Sequence, residues 1–309
     1  MSNISGFKKY RYKLFKFVHY HLHLFNRKSD KWLIEHLFKC EMGYPLNLKN
    51  PQGFNEKLQW LKLNYHQEIY STLADKYLVR EYIELNVPEL NLIPLLGKYE
   101  NANDIDFDKL PNQFVLKCNH TSGRGLFVVK DKSRLSKKEI KHIKKGLNKA
   151  LKYNFYYETR ELPYKSMKPL ILCEEYMTDN EKVDYITDYK FYCFDGYVDC
   201  VMVCLERETG HPKFYFFDKK WELKRINIAG KNAPANFSVP KPSQMDKMFE
   251  IAEKLSKGFP YLRMDLYQIN DKIYFGEYTF YPKGGFDPNY LEETEKYFGN
   301  LIELPNKEK

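Results

Sequence analysis

LRMDLYQINDKIYFGEYTFYPKGG, residues 262–285, is the stretch that decides the fold. Apolar and polar side chains alternate through RMDLYQI, Asn270 and Asp271 supply a tight turn, and KIYFGEYTF resumes as a second strand. Arg263 and Asp265 have the same strand parity, as do Glu277 and Thr279, so each pair projects from one face. The turn makes Asp265 and Glu277 candidates for cross-strand neighbours. Two carboxylates and a hydroxyl gathered there suit Mg²⁺, a hard cation that takes few carboxylates and fills its shell with phosphate oxygens and water. A solvated hairpin face would carry the same charges without any function. Against that, Glu277 sits in a strongly apolar strand, where an unpaired carboxylate is costly.

Upstream, the chain reads as strands from about residue 111. FVLKCNH and LFVVK flank TSGRG, a hairpin with a flexible tip. Further strands are expected at PLILCEEYM, DYKFYCFDG, YVDCVMVCLE, KFYFFD and WELKRINI. Two helices interrupt them, SKKEIKHIKKGLNKALK and PSQMDKMFEIAEKLSKGF. This order implies an α+β domain with antiparallel sheets, not a regular βαβ array. Residues 29–110 read as mostly helical, with YSTLADKYLVREYIELNV as one continuous helix and a short strand after Pro94. The expected divisions are residues 1–28, 29–110 and 111–309, the last with a hinge near 174–177.

Lys117 lies within an apolar strand just before Ser122, Gly123, Arg124 and Gly125. A lysine beside a Gly-rich tip makes a phosphate cradle, because the ammonium offsets oxygen charge and glycine lets backbone N–H groups approach. It is neither a Walker A loop nor a Rossmann fingerprint, and such hairpins are common. LILCEEYM ends an apolar strand in two carboxylates. Backbone groups at Glu175–Met177 can read an adenine edge, and Asp188 or Glu181 can hold a ribose; the plain alternative is a strand reaching the surface.

The first segment, Gly6–Lys28, is basic and aromatic and has no acidic residue. Leu14, Phe17, Val18 and Phe25 fall near one helical stripe with Phe7 and Tyr10, so it reads either as a helix lying on an anionic membrane or as one docked on its own protein. No apolar run approaches the roughly 20 residues needed to span a bilayer. Lys+Arg 50 against Asp+Glu 41 gives a net charge of +9, which favours anionic partners without choosing among them. The 17% aromatic content fits a strand-rich core, with sugar-stacking surfaces as the other use. Six cysteines without C-x-x-C spacing suggest neither a disulfide framework nor a metal cluster, and the cytosol is the expected compartment.

Taken in order, NPQGFNEKLQWLKL, LADKYLVREYI, LPNQFVLKCNHTSGRG, EEYM, DYKFYCFDG, RMDLY and GEYTFYPKGGF resemble the TupA-like ATP-grasp family of surface-polysaccharide and teichuronopeptide gene clusters. The resemblance runs from about Leu37 to Pro305 and implies an ATP-grasp fold using ATP and Mg²⁺. By it, Lys117 binds phosphates, residues 122–125 close over them, and Glu174, Glu175, Tyr176 and Met177 form the adenine hinge. Asp188 takes the ribose position, and Lys190 points toward phosphates or substrate. Asp265 and Glu277 match the Mg²⁺ carboxylates, with Thr279 where an Asn is usual, and Arg263 matches the arginine that stabilises the transferring group. Asp75-Lys76 with Arg80 resembles the helix preceding the nucleotide site, and Pro282–Gly285 the substrate loop.

The expected activity is an ATP-dependent carboxylate–amine ligase of capsule or other surface-polysaccharide synthesis, working in the cytoplasm, at the inner face of the membrane if the first segment docks there. Its partners would be ATP, an acidic glycan or sugar precursor, and an amine or amino acid; nucleic acid is not expected. The alternatives are a sugar kinase on the same site, a glycosyltransferase, for which DFD at Asp106–Asp108 is the D-x-D-like candidate, and a noncatalytic surface-binding module.

Overall fold

The computed structural model describes residues 6–178, 186–206 and 209–306; Glu181 lies outside them. Helix α1 (Gly6–Leu22) leads into α2 (Asp30–Met42), α3 (Phe54–Asn64), α4 (Ile69–Ala74) and α5 (Val79–Asn86). The ends of these helices follow from local chemistry. Ser29 caps α2 by accepting from the Trp32 N–H at 3.3 Å, and Gly43 closes it at φ +82°. Glu56 reaches back to the Gln52 and Gly53 N–H groups, at 2.9 and 3.1 Å, and so starts α3.

The single helix expected through residues 70–87 is two. The chain breaks between α4 and α5 because the Asp75 carboxylate accepts from the Tyr77 N–H at 2.7 Å and the Leu78 N–H at 3.3 Å. An aspartate that bonds its own downstream backbone competes with helix propagation. Its other oxygen accepts from the Asn119 side chain at 2.8 Å, so a distant strand end holds the break in place.

Strands β1 (Leu95–Tyr99), β2 (Phe114–Cys118), β3 (Phe127–Val129) and β4 (Ile171–Glu175) form a four-stranded antiparallel sheet in the order β1-β4-β2-β3. Helix α6 (Lys137–Leu151) covers it, burying Ile143, Leu147 and Ala150 against Phe114, Leu116, Ile171 and Cys173. The boundary expected at 110/111 does not separate helices from sheet, since β1 precedes it and pairs with β4.

The second sheet contains β5 (Asp188–Phe194), β6 (Tyr197–Leu205), β7 (Lys213–Phe217), β8 (Leu223–Lys224), β9 (Leu262–Ile269) and β10 (Lys272–Thr279), in the order β10-β9-β5-β6-β7-β8. One face is apolar. Phe191, Val201, Met264 and Leu266 pack there in one core with Met248, Phe249 and Ala252 of the helix that follows β8, Met245–Leu255. Each fully buried side chain of this size contributes about 1.5–3 kcal/mol. The same core takes in Phe54, Leu58, Tyr70 and Ile83 of α3–α5, so the N-terminal helices are part of this lobe's packing.

WELKRINI is a strand only at β8. Arg225 donates to the carbonyls of Gly230, Ala233 and Pro234, and Asn227 caps a short helix, Ile228–Asn232, so the chain turns away from the sheet.

Candidate functional site

The charged residues of the hairpin are brought together by a β-bulge. From the Asn270-Asp271 turn the register runs regularly to Phe275↔Leu266, both in the apolar core. Continued, it would place Glu277 opposite Met264, on the core side. Gly276 is the extra residue, and Glu277 instead pairs with Asp265 and Thr279 with Arg263. A Cβ on Gly276 would lie 2.7 Å from the Asp265 carbonyl oxygen, so the strands approach this closely only because the residue is glycine.

Across the sheet, Lys190 pairs with Asp265 and Asp265 with Glu277, which sets one row of charge over three strands. Asp265 is 2% exposed. The Arg263 guanidinium grips it with Nε at 2.7 Å and Nη2 at 2.9 Å, and Lys190 donates to it as well as pairing with Asp188. Arg263 Nη2 also reaches Glu277 at 3.1 Å and Thr279 at 3.0 Å. Burial works against the charge on Asp265, but Arg263 and Lys190 outweigh it and hold the carboxyl below its ordinary range. Burial likewise opposes the charge on Arg263; Asp265 and Glu277 reverse the effect and raise it above the usual guanidinium value.

The opposite wall comes from the four-stranded sheet. Lys117 Nζ lies 2.6 Å from Glu174, and Arg80 approaches the same carboxylate at 3.8 Å. Glu174, expected in the adenine hinge, lines the cavity, and its carboxylate clamps Lys117. Lys76, set in place by the break at Asp75, donates to the Thr121 carbonyl at 3.0 Å and stands 3.9 Å from Glu277. Burial depresses its pKa, with Glu277 partly offsetting the loss. Thr121 Oγ1 donates to the Arg124 carbonyl at 2.5 Å and closes the loop between β2 and β3.

Between the walls is a cavity of about 640 Å³. Lys117, Ser122, Gly123, Arg124, Glu174, Glu175, Tyr176, Met177, Asp188, Lys190, Arg263 and Glu277 all line it. Gly125, Asp265 and Thr279 do not. Gly125 packs instead, at φ +71°, where a Cβ would meet Ala150 Cβ at 2.7 Å and Cys118 Sγ at 2.8 Å. Asp265 and Thr279 stand behind Arg263. Sequence reasoning left out the apolar lining of Val115, Leu126, Val128 and Tyr267, and it named Lys76 without giving it a role. Leu126 and Val128, about half exposed on the loop and β3, were the available signal. Asp106 and Asp108, the D-x-D candidate, are not in the lining; Asp106 accepts from the Asp108 N–H at 3.1 Å in an exposed turn.

A second cavity of about 580 Å³ opens on the same face of the six-stranded sheet. Its lining includes Met202, Phe214 and Phe216 from β6 and β7, together with Lys283, Asn289 and Tyr290. Arg263 and Tyr192 line it too, which makes Arg263 a wall of both chambers. The neighbouring Pro282–Gly285 turn is held from below: Gln59 donates to the carbonyls of Gly284 and Gly285 at 3.0 and 2.5 Å, and buried Lys62 to Gly284 at 2.6 Å.

These walls fit a nucleoside triphosphate and its cation in kind. Lysines converge from two sides, and the loop backbone at Gly123 is open, with no heavy atom within 4 Å of a Cβ position. Among the described residues no group of three or more His, Cys, Asp or Glu gathers to hold a metal ion. A pair of carboxylates completed by phosphate oxygens is the arrangement this donor set allows, and it suits Mg²⁺. Asp265 would join such a site only by giving up the Lys190 ammonium.

Two antiparallel sheets gripping a lysine-lined cavity are the layout of an ATP-grasp protein. The family described as TupA-like ATP-grasp matches residues 56–303, well over half of the chain, and the chain belongs to it. No curated protein matches the sequence. Among solved structures the chain is similar to the D-alanine–D-alanine ligase of Bacillus anthracis complexed with ATP, at 13% identity and a TM-score of 0.45, covering 75% of this chain and 65% of that one. It is similar to the Helicobacter pylori D-alanine–D-alanine ligase at 14% identity and a TM-score of 0.46, covering 86% and 72%. A third likeness is the ATP-grasp ligase PsnB complexed with a minimal precursor, Mg and ADP, at 12% identity and a TM-score of 0.38, covering 73% and 57%. The chain thus spans just under two-thirds of the B. anthracis ligase.

Proposed function

We propose that this chain is an ATP-dependent carboxylate–amine ligase acting on an acidic precursor of a surface polysaccharide. The observation that carries the reading is Arg263, which borders both the lysine-lined cavity and the aromatic one beside it. ATP occupies the first. Val115, Leu126 and Val128 offer apolar surface to adenine near the Tyr176–Met177 strand exit, Asp188 faces the ribose, and Lys76 and Lys117 meet the phosphates.

The acceptor carboxylate enters from the second cavity and is drawn to Arg263. One of its oxygens forms a bond to the γ-phosphorus as the bond to the β–γ bridging oxygen breaks, and ADP leaves. The amine nitrogen then adds to the activated carbonyl carbon, loses a proton, and expels phosphate. The products are an amide, ADP and phosphate. Lys117, Lys190 and Arg263 offset the migrating negative charge, so catalysis here is positioning and fixed electrostatics rather than covalent participation by the protein. Glu277 on the cavity wall would hold Mg²⁺, with Asp265 joining it on exchanging the Lys190 ammonium for the cation; the ion supplies positive charge to the phosphates when bound.

The aromatic and amide side chains of the second cavity support a saccharide acceptor, and the overall positive charge an acidic one. A thermal-shift panel of ATP, ADP and UDP-sugars, with and without Mg²⁺, tests the nucleotide site, since a ligand that binds only the native state raises its melting temperature. ATP with Mg²⁺ is expected to give the largest rise. Uronic-acid saccharides plus an amino acid are expected to release phosphate and yield an amide detectable by mass. Phosphate retained on the sugar would make the protein a kinase, and stabilisation by UDP-sugars but not ATP would sink the ligase assignment.

A further inference from the structure

Helix α1 has two faces with different fates. Phe15, His19 and Tyr20 turn inward. The Phe15 ring stacks on Phe25 at 4.8 Å and lies 5.7 Å from His36, while His19 is buried with Nε2 2.8 Å from the Glu158 carbonyl oxygen. Lys16 pairs with Glu41 of α2 at 2.9 Å. These contacts join a cluster formed by Leu33, Leu37, Phe38 and Phe286, so α1 is fixed to the body of the protein. The stripe singled out from sequence is split, with Phe25 in the inner cluster and two of its other members outside. Leu14 and Phe17 stand about half exposed on the outer side, Phe17 stacks on His21 one turn later at 4.8 Å, and Leu22 (51% exposed) and Leu24 (68%) continue the apolar surface past the helix end.

Residues 14, 17 and 21 recur at helical spacing, so this outer surface is a ridge and not a scatter of single side chains. Its flanks are cationic: Arg11, Lys13, Arg27 and Lys28 are all exposed, and Gly6–Lys28 contains no Asp or Glu. No described helix is long and apolar enough to cross a membrane.

We propose that this ridge docks on the surface of an anionic lipid bilayer, with Leu14, Phe17, Leu22 and Leu24 at the acyl boundary and the four cationic side chains among the headgroups. The pairing of chemistries selects the occupant. Exposed aliphatic and aromatic side chains gain by leaving water, while each lysine or arginine near an anionic leaflet adds a comparable attraction. A nucleic acid would use the cations and leave the four apolar side chains in water. The inner-face contacts make the ridge a preformed feature, so binding needs no refolding of α1 and holds the enzyme in one orientation. The inference is independent of the nucleotide assignment, because none of these residues lines either cavity.

Removing the whole segment is a poor test, since Phe15, His19 and Phe25 would leave Phe286 and α2 uncovered. The informative variants are at the exposed positions: Phe17→Ser with Leu24→Ser, and Lys13→Glu with Arg27→Glu. Co-sedimentation of the full chain with phosphatidylcholine vesicles, with and without phosphatidylglycerol, is expected to show binding that needs the anionic lipid and weakens with salt. Each double variant is expected to lower the vesicle partition coefficient at least about tenfold, with its melting temperature and ATP-induced thermal shift unchanged. Equal binding to both vesicle types, or variants that sediment like the parent, would overturn the proposal. So would a dimer in solution that the Phe17→Ser, Leu24→Ser pair dissociates, for then the ridge belongs to a second copy of the chain.

Discussion

The two sheets face one cavity and present charge to it in opposite ways. The six-stranded sheet locks its groups together: Lys190, Asp265, Arg263 and Glu277 bond to one another across three adjacent strands, with Asp265 sealed behind. The four-stranded sheet is more loosely furnished. Lys117 has one carboxylate partner, and at the Gly123 tip an added Cβ would meet no heavy atom within 4 Å. A wall whose donors and acceptors already satisfy each other must exchange a bond to admit a ligand, whereas a lysine with a single carboxylate partner keeps donors to spare. The difference is one of density: four mutually bonded charged groups on the six-stranded sheet against one lysine–carboxylate pair on the four-stranded sheet.

That contrast is open to attack by substitution. The heaviest expected loss is Asp265→Asn. It leaves Arg263 and Lys190 short of their shared counter-charge, and kcat for phosphate release is expected to fall roughly 1000-fold, with a clear drop in melting temperature. Glu277→Gln is expected to reproduce the kinetic loss with little change in melting, since that carboxylate is 37% exposed. Gly276→Ala comes next: its methyl meets the Asp265 carbonyl oxygen at 2.7 Å, and pushing the strands apart is expected to lower kcat about 100-fold, measured beside an unchanged far-ultraviolet circular dichroism spectrum.

In the break between α4 and α5, the largely enclosed Lys76 has a pKa depressed by burial and gives up its proton below the ordinary lysine value of 10.5. Its attraction for phosphate is therefore lost, as pH rises, sooner than that of an ordinary lysine. ATP affinity followed by calorimetry is expected to weaken with rising pH at a lower value in the parent than in Lys76→Arg. The smallest effect is expected at Gly123→Ala. Its φ of +74° costs an alanine about 1–2 kcal/mol locally, but nothing is struck, so KM for ATP is expected to change less than about fivefold. A Gly123 variant as damaging as the Gly276 variant would erase the distinction between the walls.

Much of this arrangement is legible in the residues. Alternation and a turn dipeptide place the β9–β10 hairpin, and the lysine beside TSGRG is at the cavity. What escaped is tertiary in origin. Parity alone puts Arg263 with Asp265 and Glu277 with Thr279, yet joining the two pairs on one face depends on a bulge that the sequence shows only as a single glycine. The break at Asp75 is stabilised by Asn119, 44 residues away, so periodicity carried the helix straight through it and Lys76 lost its setting. Glu174 clamps Lys117 because β4 pairs with β2 across an intervening hairpin and helix, a partnership that no local pattern encodes.

One guanidinium serving as a partition between two chambers has a consequence for selectivity. Whatever anion settles on either side of Arg263 draws on the same limited set of N–H donors, already shared with Asp265, Glu277 and Thr279. If anions bind on both sides, any effect of one on the other's affinity is matched by an equal effect in return. Variation in this lineage can therefore reshape the far ends of each chamber freely, but at the shared wall a change made for one substrate is necessarily imposed on the other.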